Sequence, residues 1–263
     1  MGHCILGYPG FYAQSRLDRS TQLYHIYSLS RFKELLENKS VYFRKVTKWT
    51  DTFEYPIRFM REDRREVIEK SLFGLCMTKE FDKEAMWKLY STDDHGVCIK
   101  TTASAICNAL SITSQESSKI RPLAFIGEVK YVPYLTSEPS RMFDEEDKRQ
   151  YPDYMYPAYL KRDAFSYEGE VRIMLLKYGE PSGIDGVHIP LQDFSFIHEI
   201  ILSPYYPEDD ISSFRSLCKE HGLDIQIRQS EFLQKIDENS VKLPTEREVY
   251  WGTPKDAYDI LSS

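Results

Sequence analysis

A densely charged segment, residues 161–170, runs directly into an apolar one, Val171–Leu176, and this transition constrains the fold more than any other stretch. The apolar part is typical of a strand that enters a core. Side chains alternate across a strand, so Glu168, Glu170 and Arg172 are predicted to share one face. Two carboxylates and a guanidinium on an inner strand cost desolvation energy. A cleft or a solvent-facing edge would each accommodate them, and the residues alone leave both open.

The composition excludes several classes of protein. Hydrophobic residues make up 41% and charged residues 29% of the 263 residues, which is typical of a globular protein. No apolar run is long enough to span a bilayer, and the first residues do not resemble a secretory signal, so we expect a cytoplasmic protein without a membrane partner. The net charge of −7 argues against non-specific nucleic-acid binding, although it leaves a local basic groove open.

The cysteines are expected to be reduced thiols. There are five, an odd number, without the CxxC spacing of a zinc motif. Cys76 and Cys98 lie in apolar runs and are predicted to belong to the core. His188 and His198 have no partner at a metal-ligand spacing, so no metal site is expected.

Short apolar runs and helical spacings follow one another without a regular βαβ order. This pattern predicts an α+β fold with a central mixed, mainly antiparallel sheet and flanking helices. The predicted strands lie at residues 22–27, 41–43, 71–78, 97–100, 128–132, 171–176, 188–191, 197–202 and 224–228. The predicted helices lie at residues 30–38, 58–70, 83–90, 101–110 and 208–221, with Ser28 or Ser30 as the first N-cap. We expect an N-terminal extension at 1–20, a single domain at 21–231 and a C-terminal appendage at 232–263.

A recurring order of short motifs resembles an uncharacterised bacterial family of domains of unknown function. The resemblance covers residues 22–230. It departs from the family pattern at Thr50 and Thr52, where an NDPFE-like turn would have Asn and Pro. The motifs are Leu23–Ile26, Leu36–Ser40, Thr50–Glu54, Met86–Tyr90, Gly96–Ile99 and Lys161–Arg172.

The order of a strand with His, a helix with aromatic residues and a late strand with Glu also resembles the ADP-ribosyltransferase superfamily. The resemblance implies a split sheet and NAD as the substrate. It implies that His25 holds the nicotinamide ribose and that Tyr90, or Trp87 in its place, stacks on the nicotinamide. Glu170 would be the catalytic carboxylate and Glu168 would polarise the acceptor, because a fixed carboxylate stabilises the oxocarbenium-like transition state.

Three further residues complete the set that we expect to contact NAD. Tyr24 precedes His25, and Arg162, like its neighbour Lys161, could meet a phosphate. Arg172 either contacts the cofactor or holds one of the two glutamates through a charge-assisted hydrogen bond. The acceptor could be a protein, a nucleic acid or water, and such an enzyme would suit a bacterial toxin or a phage-defence effector.

Two rival functions belong to other classes. One is a non-catalytic nucleotide-sensing module whose cleft is covered by the acidic, Tyr-rich loop 134–158. The other is a metal-dependent nuclease that uses Asp163, Glu170 and Arg172, although such a site would normally have Lys in place of Arg172. The chain contains no P-loop, no GxGxxG and no nucleophile elbow.

Overall fold

The computed structural model describes residues 11–13, 17–49, 69–91, 93–110, 123–133, 139–143, 145, 153–181 and 183–233. The chain divides into two units, Met1–Phe232 and Leu233–Ser263, and every element named below lies in the first. The expected extension and appendage, with their boundaries at residues 20 and 231, stay predictions. Among the described helices, none has the length and apolar character needed to cross a bilayer.

Twelve strands are formed by the described residues, most of them at apolar runs of the sequence. Their bounds are β1 Phe11–Ala13, β2 Gln22–Tyr27, β3 Ser40–Lys45, β4 Leu72–Thr78, β5 Val97–Thr102, β6 Leu123–Glu128, β7 Lys130–Val132, β8 Leu160–Arg162, β9 Glu170–Leu176, β10 Gly186–Pro190, β11 Glu199–Leu202 and β12 Ile227–Gln229.

Ten of these strands form one sheet, in the order β1-β6-β9-β4-β2-β5-β11-β12, with β3 paired to both β4 and β10. The pairs β1–β6 and β11–β12 are parallel, and the others are antiparallel. β7 and β8 form a separate parallel pair. The prediction of an α+β fold with a mixed, mainly antiparallel central sheet is confirmed.

Four α-helices lie wholly within the described residues: α1 Leu29–Asn38, α2 Glu84–Tyr90, α3 Ala103–Ala109 and α4 Glu208–Glu220. α1 forms as its sequence predicts. The Ser28 side chain accepts a hydrogen bond from the Arg31 N–H at the helix start, which satisfies one of the free backbone donors. Phe32, Leu35 and Leu36 are the buried residues of this helix and pack in the core.

β9 lies at the centre of the packing, and all seven of its residues are buried. Val171, Ile173 and Leu175 belong to the main apolar core on one face of the sheet. Met174 belongs to a second cluster on the other face, which is covered by the 3-10 helix Asp153–Tyr159. Glu170 and Arg172 alternate with the first set of residues and therefore share the second face. This places charged groups inside the protein and not on a solvent-facing edge.

Several predicted elements differ from the observed ones. β5 continues to Thr102, whose side chain then caps α3, because β2 pairs with it over its full length. The strand predicted at 128–132 is two strands, β6 and β7, and β6 begins five residues earlier, at Leu123. β12 begins at Ile227, three residues after the predicted start. The NDPFE-like turn and nearly all of the predicted helix 58–70 lie outside the described residues, as does much of the loop 134–158.

The sheet is split between β2 and β4. These two strands share one register pair among the described residues, Tyr24 with Thr78. β2 then continues to pair with β5 as far as Tyr27, whereas β4 pairs with β9 along its whole length. The two strands therefore diverge after Tyr24, and a gap opens in the sheet at His25.

Candidate active site at the split between β2 and β4

A small cavity of about 90 Å³ lies at this split. β2, β4, α2 and the segment before β9 each contribute side chains to its wall. The lining residues are Tyr24, His25, Ile26, Cys76, Met77, Thr78, Met86, Tyr90, Glu168 and Glu170. The structure thus brings together five of the eight residues that the sequence analysis placed at a site: Tyr24, His25, Tyr90, Glu168 and Glu170.

The cavity adjoins a larger groove of about 480 Å³, and His25, Ile26, Cys76 and Tyr90 line both. Pockets for small molecules usually measure roughly 300–1,000 Å³, so the small cavity alone could hold only one end of a ligand. The groove can accommodate the remainder. Its wall includes Tyr42, whose ring lies 5.3 Å from the guanidinium carbon of Arg31.

The imidazole of His25 is held in one tautomer. Its Nδ1 lies 2.6 Å from the backbone oxygen of Cys76 across the gap. A carbonyl oxygen can only accept, so Nδ1 carries the proton and Nε2 is the acceptor. Burial lowers the pKa of His25 to about 4 and outweighs the opposing effect of the carbonyl. His25 is therefore neutral at pH 7 and offers a hydrogen-bond acceptor.

Glu168 does not lie in the strand, contrary to its predicted position. It ends a 3-10 helix, Asp163–Glu168, and the following Gly169 adopts the left-handed conformation with φ 50°. A side chain at Gly169 would also meet Glu80, since an added Cβ would lie 2.4 Å from Cγ of Glu80. Thr78 Oγ1 donates a short hydrogen bond to the Glu168 carbonyl and fixes this turn. Glu168 reaches the cavity through a turn and not through strand alternation.

Glu170 is buried and bound by two cations. Arg172 donates from Nε to Oε1 at 2.8 Å and from Nη2 to Oε2 at 2.9 Å. Lys161 donates from Nζ to Oε2 at 3.3 Å. Burial by itself would raise the pKa of Glu170, but the charges of Arg172 and Lys161 outweigh burial and lower it to about 2. The carboxylate is therefore ionised at neutral pH.

Arg172 does not line the cavity. Its side chain is fully buried, its Nη1 donates to the carbonyl of Ala158 at 2.7 Å, and its guanidinium carbon lies 4.6 Å from the centre of the Trp49 ring. Of the two roles considered for Arg172, the geometry corresponds to the residue that holds Glu170 and not to a contact with a ligand. Its prediction as a cofactor-binding residue gains no support from this position.

The two aromatic residues of α2 have different surroundings. Tyr90 lines the cavity, and 43% of its surface is exposed. Trp87 is 2% exposed, packs with Tyr24 and Cys98, and donates from Nε1 to Asp82 at 3.1 Å. Only an accessible ring can stack on a ligand, so of these two residues Tyr90 has the required position. Although the residue is partly exposed, desolvation of its hydroxyl, with the negative charge of Glu168 nearby, raises the pKa of Tyr90 and keeps the hydroxyl neutral.

Tyr24 lies at the cavity, whereas Arg162 does not. Tyr24 lines the cavity and stacks on Phe81 with ring centres 4.8 Å apart. Arg162 is absent from the lining of the cavity and of the groove, and its guanidinium carbon lies 5.2 Å from the Phe165 ring. The expected phosphate contact of Arg162 therefore stays a prediction without a geometric basis.

The position of Cys76 also differs from the prediction. It was expected in the core with Cys98, which is buried, but Cys76 is partly exposed and lines both the cavity and the groove. Cys76 lies across the gap from His25, whose Nδ1 is bonded to the Cys76 carbonyl, so its side chain borders the opening at the split. The sequence shows the apolar run of β4 but not the divergence of its neighbour.

Thr78 and Tyr131 also contribute to the site and were not predicted from the sequence. Thr78 holds the turn at Glu168, and its position as the polar end of an apolar run could have suggested a special role. Tyr131 accepts a hydrogen bond from the Glu170 N–H at 2.8 Å, and burial is the main cause that raises its pKa to about 12. No local pattern indicates Tyr131, because β7 is short and pairs with β8 out of sequence order.

Comparison with known proteins yields one family and several distant structures. Residues 86–173 match a family described as "Protein of unknown function (DUF2971)". Over these residues the resemblance to an uncharacterised domain family is confirmed. No curated protein matches the chain.

Three solved structures of DarT from Thermus sp. 2.9 are similar to this chain. The complex with NAD+ has a TM-score of 0.38 at 10% identity and covers 82% of this chain and 98% of DarT. The complex with ADP-ribosylated ssDNA has a TM-score of 0.35 at 10% identity, with coverage of 82% and 96%. The complex with carba-NAD+ has a TM-score of 0.34 at 11% identity, with coverage of 81% and 95%. Scores this low describe a distant likeness, and the function proposed below rests on the geometry of the cavity.

Proposed function

We propose that this protein is an ADP-ribosyltransferase-like enzyme that cleaves the nicotinamide–ribose bond of NAD and transfers ADP-ribose to a macromolecule or to water. One observation carries the proposal: the two carboxylates of Glu168 and Glu170, the neutral imidazole of His25 and the accessible ring of Tyr90 line one cavity. The adjoining groove supplies the volume that the rest of a dinucleotide needs.

The charges suit the cleavage of a cationic glycoside. The nicotinamide ring of NAD carries a positive charge, and this charge moves to the ribose as the bond breaks. Carboxylates that are already ionised and fixed in a buried site stabilise the developing charge without reorganising. Glu170 meets both conditions, since its pKa is about 2 and Arg172 holds both of its oxygens.

Each remaining side chain has a role that its position permits. Nε2 of His25 can accept a hydrogen bond from a ribose hydroxyl, because Nδ1 is occupied by the Cys76 carbonyl. Tyr90 can stack on the nicotinamide ring. The groove beyond His25, with the ring of Tyr42 and the guanidinium of Arg31 in its wall, would take the ADP portion.

The reaction balances without a redox partner. The bond between ribose C1′ and the nicotinamide nitrogen breaks, and its electron pair neutralises the ring, which leaves as nicotinamide. A hydroxyl or amine of the acceptor, or water, then forms a new bond to C1′. Its proton passes to Glu168, the carboxylate at the end of the 3-10 helix, and from there to solvent.

A nucleotide-sensing module without turnover is the second candidate, because the same cavity and groove could bind NAD and stop there. The nuclease alternative gains no support, since no group of three His, Cys, Asp or Glu side chains in the described residues could hold a metal ion. Asp163, which the nuclease hypothesis requires, is exposed and lines neither the cavity nor the groove.

The test measures nicotinamide release and NAD affinity in the same preparations. Wild type should release nicotinamide, and Glu168→Gln and Glu170→Gln should each lower the rate about a hundred- to thousandfold while calorimetry still detects NAD binding. His25→Ala should instead weaken binding, because its role is to hold the ribose. Binding without release in wild type would favour the sensor, and no binding by wild type would contradict both functions.

A further inference from the structure

The ammonium of Lys161 bridges the two carboxylates of the cavity. Its Nζ lies 2.6 Å from Oε2 of Glu168 and 3.3 Å from Oε2 of Glu170. Lys161 is 5% exposed, so water contributes little to the stabilisation of these charges. The side chain reaches this position because β8 pairs with β7, where Lys161 lies in register with Tyr131.

Among the described residues, the cluster contains two anions and two cations. Arg172 donates hydrogen bonds to Glu170 from two N–H groups, whereas Lys161 donates to both carboxylates. Two carboxylates that share a buried site repel each other, and one of them takes up a proton unless a cation offsets the repulsion. Lys161 is placed to offset it.

We propose that Lys161 is a positioning residue that keeps Glu168 and Glu170 ionised together in acid. Its catalytic consequence rests on the function proposed above, whereas its effect on the two carboxyl groups does not. Neither the match to a family of unknown function nor the resemblance to ADP-ribosyltransferases assigns this role to Lys161.

An aromatic ring and several titratable groups on the neighbouring elements surround the ammonium of Lys161. The aromatic ring of Phe165 lies 5.0 Å from Nζ and favours its charged form. Burial keeps the nearby tyrosine hydroxyls neutral, and His25 across the cavity gains a proton only near pH 4. Among the described residues, the groups that face the ammonium are Cys76 of β4, Tyr90 of α2, Tyr131 of β7, Glu168 at the end of the 3-10 helix, and Glu170 and Arg172 of β9.

The experiment follows the carboxyl groups directly, because His25 also titrates in acid. Protein with 13C-labelled glutamate is titrated by NMR in wild type, Lys161→Met and Lys161→Arg, with assignments from Glu168→Gln and Glu170→Gln. In Lys161→Met, one of the two carboxyls should titrate about one to three pH units higher than in wild type, while Lys161→Arg should resemble wild type. Unchanged titration of both carboxyls in Lys161→Met would overturn the proposal.

The pH profile of nicotinamide release gives the catalytic readout. Its acid limb should move to higher pH in Lys161→Met where the shifted carboxyl titrates above the pKa of His25, about 4, and the rate should recover above that shifted value, whereas a purely structural defect would lower the rate at every pH. Lys177→Met serves as the matched control, since Lys177 pairs with Glu180 away from the cavity, and its profile should equal that of wild type. If wild type releases no nicotinamide, the proposed function fails, and the NMR titration still decides the role of Lys161.

Removing a buried cation could also prevent folding, and a second variant covers that case. Lys161→Met combined with Glu168→Gln removes one charge of each sign and restores the balance of the cluster. If Lys161→Met alone is unfolded, recovery of the folded state in the double variant supports the proposal. A double variant that remains unfolded overturns it, because charge compensation would then not be the reason for the defect.

Discussion

Replacing Glu170 by Gln should destabilise the fold as well as the reaction. The pKa of Glu170 falls from its ordinary 4.5 to about 2, because Arg172 and Lys161 outweigh the effect of burial. Each pKa unit corresponds to about 1.4 kcal/mol, so the ionised carboxylate contributes about 3 kcal/mol to the free energy of unfolding. Gln cannot supply that charge, and the buried guanidinium of Arg172 loses its counterion, a loss that typically costs about 3–5 kcal/mol.

The pH dependence has a definite sign. A carboxyl with a lower pKa in the folded than in the unfolded state contributes stability that is complete above pH 4.5 and lost as the pH falls through about 2. The difference between wild type and Glu170→Gln should therefore be constant at neutral pH and shrink in acid. Urea unfolding at pH 7 should show a midpoint lower by about 1–3 M, since the slope for small proteins is about 1–3 kcal/mol per molar.

A matched control separates this effect from the loss of any surface charge. Glu84 pairs with Lys88 at 2.5 Å on α2, and 43% of its side chain is exposed, so Glu84→Gln should leave the free energy of unfolding nearly unchanged. If Glu170→Gln unfolds at the same urea concentration as Glu84→Gln at pH 7, the reasoning about the buried cluster is refuted. Circular dichroism confirms that both variants are folded before urea is added.

Three further predictions concern other parts of the site. His25 has a pKa of about 4 in the folded state, against an ordinary value of 6.5, so its neutral form contributes at most about 3 kcal/mol to the free energy of unfolding, complete above pH 6.5 and lost as the pH falls through 4. In His25→Asn, the free energy of unfolding in urea should depend less on pH over that range. Equal slopes of this free energy against pH in the two proteins would contradict the prediction. Gly169→Ala forces a left-handed φ of 50° on a residue with a Cβ, so thermal denaturation should show a loss of about 1–2 kcal/mol and nicotinamide release should fall with it. Trp87→Ala should cost about 3–5 kcal/mol in urea, whereas Tyr90→Ala should spare stability and weaken NAD binding in calorimetry; the reverse result would assign the stacking role elsewhere.

Local patterns were sufficient for most of the secondary structure and for the fold class. The N-cap at Ser28 and the spacing of Phe32, Leu35 and Leu36 predicted α1, because a helix is stabilised by contacts three and four residues apart. The apolar run of β9 predicted a buried strand, and the charges beside it indicated a cleft or an edge. The absence of βαβ order predicted the mixed, mainly antiparallel sheet.

Only the tertiary structure decided how the site is assembled. The sequence predicted that Glu168 and Glu170 share a face through strand alternation, whereas a left-handed turn at Gly169 and the bridge from Lys161 bring them together. Nothing local to Lys161 indicates this partnership, since β8 must first pair with β7.

Long-range packing determines two further features of the site. One is which of Tyr90 and Trp87 is exposed, and the other is the split between β2 and β4. The sequence places both rings on one short helix, but which ring faces solvent depends on the surface that the helix packs against, and Trp87 packs on Tyr24 of β2. Likewise, the gap at His25 exists because β2 stays with β5 while β4 stays with β9. Strand pairing and helix packing join residues far apart in the chain, so their outcome depends on contacts that no local pattern contains.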